Sequence, residues 1–193
     1  MMEILNYIID NIYQFLGVIF SIVYVIFSIK QNILCWHALI IASILNMFAY
    51  NLIDLPLQVM MQLFFIGTAI YGWYNWHQGE DKGKLKVKSW DTSKHIKWVS
   101  FGLLTTCVLT ILLKELNLDS SYPFLDSLMF VFNIIPMYLT GKKVLESWIY
   151  FILIDIVSGV FYLITNQYFF CFLFFCYIGF AISGYKTWKK HMT

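Results

Sequence analysis

The sequence predicts an all-α polytopic membrane protein: seven transmembrane helices in a three-plus-one-plus-three arrangement, with parallel three-helix repeats. Three observations lead there. First, 60% of the 193 residues are hydrophobic and only 12% are charged, at a mean hydropathy of +0.71, whereas a soluble domain carries about 25% charged residues. Second, the apolar residues gather into seven segments, several near the roughly 20 residues that cross a bilayer. Third, residues 65–76 and 177–188 are variants of one another.

The expected segments are 12–29, 33–51, 56–76, 96–114, 122–140, 147–165 and 168–186. Glu3 and Asp10 precede the first apolar run, and no basic residue does, which argues against a cleaved signal peptide. The segments contain polar residues, which suits a bundle around a polar interior. Only the stretch from His77 to His95 is hydrophilic. It carries Lys82, Lys84, Lys86, Lys88 and Lys94 and reads as a solvated cytoplasmic loop rather than a nucleotide-binding one. Residues 1–76 form the first three-helix unit, 77–121 the cytoplasmic loop and linker helix, and 122–193 the second unit and cytoplasmic tail.

All 13 basic residues are Lys. With seven spans, twelve fall on one side of the membrane and Lys114 alone on the other. The positive-inside rule then puts the N-terminus outside and the C-terminus in the cytoplasm. Cys35, Cys107, Cys171 and Cys176 lie in apolar segments and read as packing residues. His37, His77, His95 and His191 sit near segment ends or in the loop and read as solvated. No cofactor or metal is expected, and no nucleic-acid partner.

Residues 65–76 read FIGTAIYGWYNW and residues 177–188 read YIGFAISGYKTW, identical at six of twelve positions. The same shift pairs Trp36 with Trp148 and Tyr50 with Tyr162. Composition alone does not readily align Gly and Trp at one fixed shift, so the match reads as an internal repeat. The first and fifth segments match poorly. Four helices separate equivalent points, so the two halves face the same way. The SWEET sugar carriers are built from parallel repeats of this kind, and in repeat-built transporters the substrate site lies between the halves near the bilayer midplane.

No motif for hydrolysis, phosphate binding or dithiol chemistry is present. The informative groups are polar residues at membrane depth. Asp155 falls near the middle of the sixth segment, where an ionised carboxylate costs ~2.5 kcal/mol or more unless it faces a cavity or a partner. Two readings stand: a neutral carboxyl bonding helices together, or a carboxylate facing a cationic solute. Helical spacing puts Trp148, Phe151, Asp155, Ser158 and Tyr162 on one face, which suits a flat polar or cationic ring. Ser43 and Asn46 are the repeat counterparts of Asp155 and Ser158. Asn46, Gln62 and Asn133 add amides that either bond between helices or contact a ligand. With no membrane-depth Lys or Arg, a phosphorylated substrate is disfavoured.

The hexapeptide Tyr71-Gly72-Trp73-Tyr74-Asn75-Trp76 after Gln62 resembles the signature of the PnuC-type vitamin transporters. Glu146, Trp148 and Asp155, then Gly184, Tyr185 and Trp188, fit that family's C-terminal pattern, so the resemblance covers nearly the whole chain. It implies a SWEET-like fold, a bacterial inner-membrane location, and facilitated diffusion of an unphosphorylated vitamin that a cytoplasmic kinase then traps. Name-giving members carry nicotinamide riboside; relatives carry thiamine, riboflavin or deoxynucleosides. Where the family often has a second Trp after the one matched by Trp148, this chain has Phe151, which leaves the substrate open. Nicotinamide riboside is preferred, then thiamine, because both are cationic.

Within the hexapeptide stretch, Gly67, Gly72 and Trp76 persist in the repeat copy. The glycines are expected to allow close helix packing and Trp76 to anchor at the cytoplasmic interface. Gln62 and Phe65, one or two turns deeper, are the better ligand contacts, with Tyr177 as the counterpart of Phe65. The lipid bilayer and a small vitamin are the expected partners, and a homo-oligomer is left open. A non-transporting scaffold or receptor subunit, an intramembrane enzyme and a sugar carrier of the same fold are the rival readings.

Overall fold

The computed structural model describes residues 11–78, 85–116 and 122–192. Within them lie seven α-helices: α1 (Ile12–Ile29), α2 (Leu34–Leu52), α3 (Pro56–Gln78), α4 (Thr92–Glu115), α5 (Pro123–Gly141), α6 (Ser147–Ile164) and α7 (Tyr168–Lys190). Each coincides with a segment expected from hydropathy. The largest differences are at α4, which begins earlier at Thr92, and α7, which runs on to Lys190. The extra turns are amphiphilic and carry lysines, so an apolar count stops short of them.

The breaks between helices have a common physical origin. Gln31, Asp54, Lys143 and Asn166 follow the ends of α1, α2, α5 and α6 and adopt positive φ of 53°, 53°, 50° and 59°. A left-handed residue turns the chain out of the helix and lets later N–H groups bond the last carbonyls. Asn32 N–H thus bonds Phe27 O, and Val144 N–H bonds Leu139 O. Gln31 and Lys143 are 112 positions apart, and Asp54 and Asn166 share that shift.

Six helices meet a length-and-apolarity criterion for crossing a membrane, and α3 does not. The reason is that α3 carries Gln58 and Gln62, which are 3% and 2% exposed. These amides are turned into the protein, where Gln58 Nε2 donates to Asp126 Oδ1 at 3.1 Å and Gln62 Nε2 to Gln58 O at 3.4 Å.

The packing is cyclic. α1 packs on α2, α2 on α3, α3 on α5, α5 on α6, α6 on α7 and α7 back on α1, while α4 packs outside this ring on α5. Two apolar layers cross the ring. One is built on Trp36, Trp76, Trp148 and Trp188; the other on Tyr50, Tyr162, Phe161, Phe170 and Phe174. Trp36 and Tyr50 bracket α2, so at 1.5 Å per residue the layers are about 20 Å apart.

The tryptophan layer repeats its own geometry. Trp36 meets Trp76 edge-on, with centroids 5.1 Å apart at 81°, and Trp148 meets Trp188 at 5.3 Å and 89°. Trp76 Nε1 donates to Thr140 O on α5 at 3.3 Å, and Trp188 Nε1 to Ser28 O on α1 at 3.1 Å. Ser28 and Thr140 share the shift of the tryptophans, so the two indoles meet carbonyls at equivalent positions of α1 and α5. Trp76 is only 9% exposed, which corrects the expectation of an interfacial anchor. Its N–H would be costly to bury alone, and the Thr140 carbonyl satisfies it.

The hydrophilic connection also differs from a solvated loop. Residues 79–84 lie outside the described part. From Leu85 the chain lies across the α5–α6 turn: Lys88 N–H bonds Lys143 O at 3.0 Å, and Leu145 N–H bonds Lys88 O at 2.8 Å. Val87 is buried among the tryptophan-layer side chains. Glu146 accepts hydrogen bonds from Ser89 Oγ and from Trp90 N–H, and it lies 3.7 Å from His95 Nε2. His95 Nδ1 lies 3.1 Å from the Tyr150 hydroxyl, so His95 is bonded into the protein rather than solvated. Glu146→Ala is expected to loosen this strap, and limited trypsin digestion should then cut at Lys86 or Lys88 several-fold faster than in wild type. Unchanged cleavage would mean the backbone bridge holds the strap alone.

Candidate functional site

Between the two apolar layers lies a central cavity bounded by every helix of the ring. Its space is about 770 Å³, counting the part that opens to solvent. The lining follows from helix periodicity: Leu39, Ser43, Asn46 and Tyr50 are spaced three or four apart along α2, and Trp148, Phe151 and Asp155 likewise along α6.

Eight of the ten residues singled out from sequence line this one cavity: Asn46, Gln62, Phe65, Asn133, Trp148, Phe151, Asp155 and Tyr177. Ser158 and Tyr162 do not. Tyr162 shares the α6 face of Asp155, but seven residues further on it is about 10 Å along the axis. There it stacks on Phe174 at 5.4 Å and belongs to the tyrosine layer. Ser158 is 1% exposed and packed away from the cavity surface. A shared helix face does not fix which side chains a neighbour covers, and Phe174 covers Tyr162. Ser21, Tyr24, Tyr50, Met137 and Phe174 also line the cavity and were not singled out. The shift of 112 held a signal for three of them, since Ser21 is the counterpart of Asn133, Tyr50 that of Tyr162 and Phe174 that of Gln62.

The polar groups are sparse and under-used. Asp155 is 2% exposed, and it forms no hydrogen bond or ion pair among the described residues. Ser43 Oγ, Asn46 Oδ1 and Trp148 Nε1 are likewise buried without a hydrogen-bond partner. Asn46 Nδ2 is held by Ser21 Oγ at 3.2 Å, and its Oδ1 is turned against Gly17 of α1. Asn133 Nδ2 bonds Met129 O at 2.8 Å within its own helix. Buried polar groups are normally satisfied; Ser43 Oγ and Trp148 Nε1 stand unpaired on residues of the cavity wall, as Ser28, Trp36, Ser127, Ser147 and Ser158 do elsewhere. No Lys, Arg or His lines it. Lys143 is 4% exposed, but its Nζ is taken up by Gln31 Oε1 at 3.0 Å and lies 4.5 Å from the Trp76 ring centroid.

Glycines hold the rings that shape the site. A Cβ on Gly184 would come within 2.6 Å of Trp148, and one on Gly72 would overlap Trp36. Gly67 and Gly179 have nothing within 4 Å. This corrects the expectation for Gly67, which does not serve close packing. Of the cysteines, Cys35 and Cys171 are buried as packing residues while Cys107 is exposed on α4; all are free. No group of three or more His, Cys, Asp or Glu among the described residues could hold a metal ion.

A ring of apolar helices around an aromatic cavity with unpaired polar atoms is the architecture of a membrane carrier for a small solute. The family model for the nicotinamide mononucleotide transporters matches residues 11–190, and the chain belongs to this family of multi-pass membrane transporters. It is similar to the nicotinamide riboside transporter PnuC of Escherichia coli (strain K12), with 26% identity over 162 residues covering 70% of this chain and 67% of that one. It is also similar to the riboflavin/roseoflavin transporter RibM of Streptomyces davaonensis, 29% identical over 127 residues, which cover 64% of this chain and 59% of that one. Among solved structures, the crystal structure of the vitamin B3 transporter PnuC superposes with a TM-score of 0.82. It has 19% identity and covers 98% of this chain and 85% of that chain, so the fold is shared.

Proposed function

We propose that the chain carries an unphosphorylated, cationic vitamin, nicotinamide riboside, across the bacterial inner membrane by facilitated diffusion. The observation that carries this is the unpartnered Asp155 carboxylate in an aromatic cavity without any basic residue. A pyridinium ring gains from stacking, cation–π attraction and a nearby carboxylate at once. A phosphate would meet a carboxylate and no cation, so the riboside fits this cavity better than the mononucleotide. The named function of the Escherichia coli relative supports the same substrate. No pair of buried carboxylates lines the cavity, which favours diffusion over ion coupling. Trapping then falls to a cytoplasmic kinase.

The lysine distribution supports an N-terminus outside and a C-terminus in the cytoplasm. The shared shift of 112 in turns, tryptophan contacts and glycines supports α1–α3 and α5–α7 as two copies of one unit, with α4 as the linker. Ser158 and Tyr162 then support the site from behind rather than touch the ligand.

A second reading is riboflavin, favoured by the similarity to RibM. Proteoliposomes containing the purified chain test both readings. Labelled nicotinamide riboside should equilibrate, unlabelled thiamine or riboflavin should compete less well, and uptake should survive an uncoupler of the proton gradient. Collapse of uptake with the uncoupler would overturn facilitated diffusion. Stronger competition by riboflavin would select the second reading.

A further inference from the structure

On the far side of the tryptophan layer from the central cavity lies a second pocket, of about 930 Å³ counting the part open to solvent. The layer divides the two spaces. Trp148 lines the cavity and Trp76 the pocket, and Trp188 meets both rings, at centroid distances of 5.3 and 6.1 Å. The pocket's walls come from the α1–α2 turn (Lys30, Gln31), the end of α3 (Trp76, His77), the α5–α6 turn (Lys143) and the residue after α7 (His191). These segments are spread round the whole ring. A groove on the lipid-facing rim would draw on two neighbouring helices, so this pocket opens along the ring's axis, at its lysine-bearing end.

Its chemistry is the reverse of the cavity's. Two lysines and two histidines line it, and no Asp or Glu does so among the described residues. Lys143 is 4% exposed, and its Nζ donates to Gln31 Oε1 at 3.0 Å across the two turns. Lys30 and His77 are exposed beside it. His191 Nδ1 lies 2.8 Å from Thr187 O, which orients that ring. A basic side chain near a helix C-terminus offsets the partial negative charge there, and that accounts for cations at the ends of these helices. It does not account for their facing one space. An anion in that space meets lysine ammonium groups from two separate turns, and lysine binds phosphate as a point charge.

We propose that this pocket binds a phosphate group, presented by a small phosphate monoester of the cytoplasm, with Lys30 and Lys143 as its charged donors and His77 and His191 at its edge. A phospholipid headgroup carries the same charge and suits basic pockets at this depth, but headgroups enter from the rim, and this pocket opens along the axis. The cytoplasmic source rests on the orientation and the transport reading above, in which a phosphorylated solute accumulates on the lysine-bearing side.

Isothermal titration of the full chain in phosphatidylcholine nanodiscs at fixed ionic strength, with ribose 5-phosphate and with ribose, tests it. Ribose 5-phosphate should bind at millimolar concentration or below, and ribose should not. Lys30→Gln should weaken ribose 5-phosphate about fivefold or more, as loss of one charge-assisted contact implies, and Lys143→Gln at least as much. Lys30 is exposed, so its replacement keeps the test open should Lys143→Gln fail to fold. Lys142→Gln removes the counterpart of Lys30 at the shift of 112, which lies outside the pocket, and should leave the affinity within about twofold. No binding of ribose 5-phosphate, equal binding of ribose, or equal losses in Lys30→Gln and Lys142→Gln overturns the site. Phosphatidylglycerol in place of phosphatidylcholine should leave the affinity within about threefold; a loss of about tenfold or more would show headgroups filling the pocket and overturn the soluble ester as its occupant. Nicotinamide riboside titrated alongside reports on the central cavity alone, so its failure to bind bears on the substrate reading and leaves this site standing.

Discussion

Replacing Asp155 with Asn is expected to weaken binding of a cationic vitamin by about thirtyfold or more. It should leave a neutral ligand such as riboflavin within about threefold. Asn keeps the shape of the side chain and its capacity to accept one hydrogen bond, so the change isolates charge. Truncating one partner of a buried charged pair typically removes ~2–5 kcal/mol, and each ~1.4 kcal/mol is a factor of ten in affinity. The geometry supports an effect in that range: Asp155 is 2% exposed, so solvent does little to screen it, and it forms no hydrogen bond or ion pair among the described residues. Equal losses for cationic and neutral ligands would assign Asp155 a structural role. The protein's stability separates the cases again. A carboxylate held for a guest is destabilising in the empty protein at ~2.5–3.5 kcal/mol for the bilayer centre. Asp155→Asn should therefore raise the melting temperature of the ligand-free chain while abolishing the stabilisation by the cation. For wild type, that stabilisation follows the ligand concentration as RT ln(1 + [L]/Kd), ~2.7 kcal/mol at a hundredfold excess over Kd.

Adding one methyl group at Gly72 or Gly184 is the second large effect. Gly184→Ala drives a Cβ to within 2.6 Å of the indole of Trp148, and Gly72→Ala does the same to Trp36. Both indoles are at most 1% exposed and wedged edge-on against Trp76 and Trp188, so neither has room to retreat. Overpacking of this kind destabilises by ~1–3 kcal/mol, read as a lower melting temperature of the purified protein. Gly67→Ala and Gly179→Ala meet open space and should leave melting unchanged, or slightly raised by the better helix propensity of Ala. The two damaging sites also differ from each other. Trp148 lines the cavity and Trp36 does not, so Gly184→Ala should lower both stability and ligand affinity, while Gly72→Ala acts on stability first. A neutral Gly184→Ala would show that the tryptophan layer repacks, and the fixed cavity wall would go with it.

Hydropathy located all seven helices to within a few residues at most ends, because a bilayer imposes a length and an apolarity that composition records directly. It also picked out polar residues that are turned inward: a carboxylate and amides inside apolar runs are expensive unless something faces them, and Asn46, Gln62, Asn133 and Asp155 all line one cavity. The shift of 112 was legible at Gly72 and Gly184, where a Cβ cannot fit, and at the tryptophans they back. It was illegible in α1 and α5. The matching contacts there are made by the main-chain carbonyls of Ser28 and Thr140, and a carbonyl leaves no mark on residue identity. The sequence could not place Trp76, since an indole suits an interface and a buried layer equally and only the carbonyl opposite its N–H decides. Nor could it separate Ser158 and Tyr162 from Asp155, because helical periodicity groups side chains on a face without saying which are covered by neighbours, as Phe174 covers Tyr162. By itself, then, the sequence determined what crosses the membrane and which groups must be turned inward. The tertiary structure alone decided which of them meet, because that depends on how six helices close into a ring and at what height each side chain enters it.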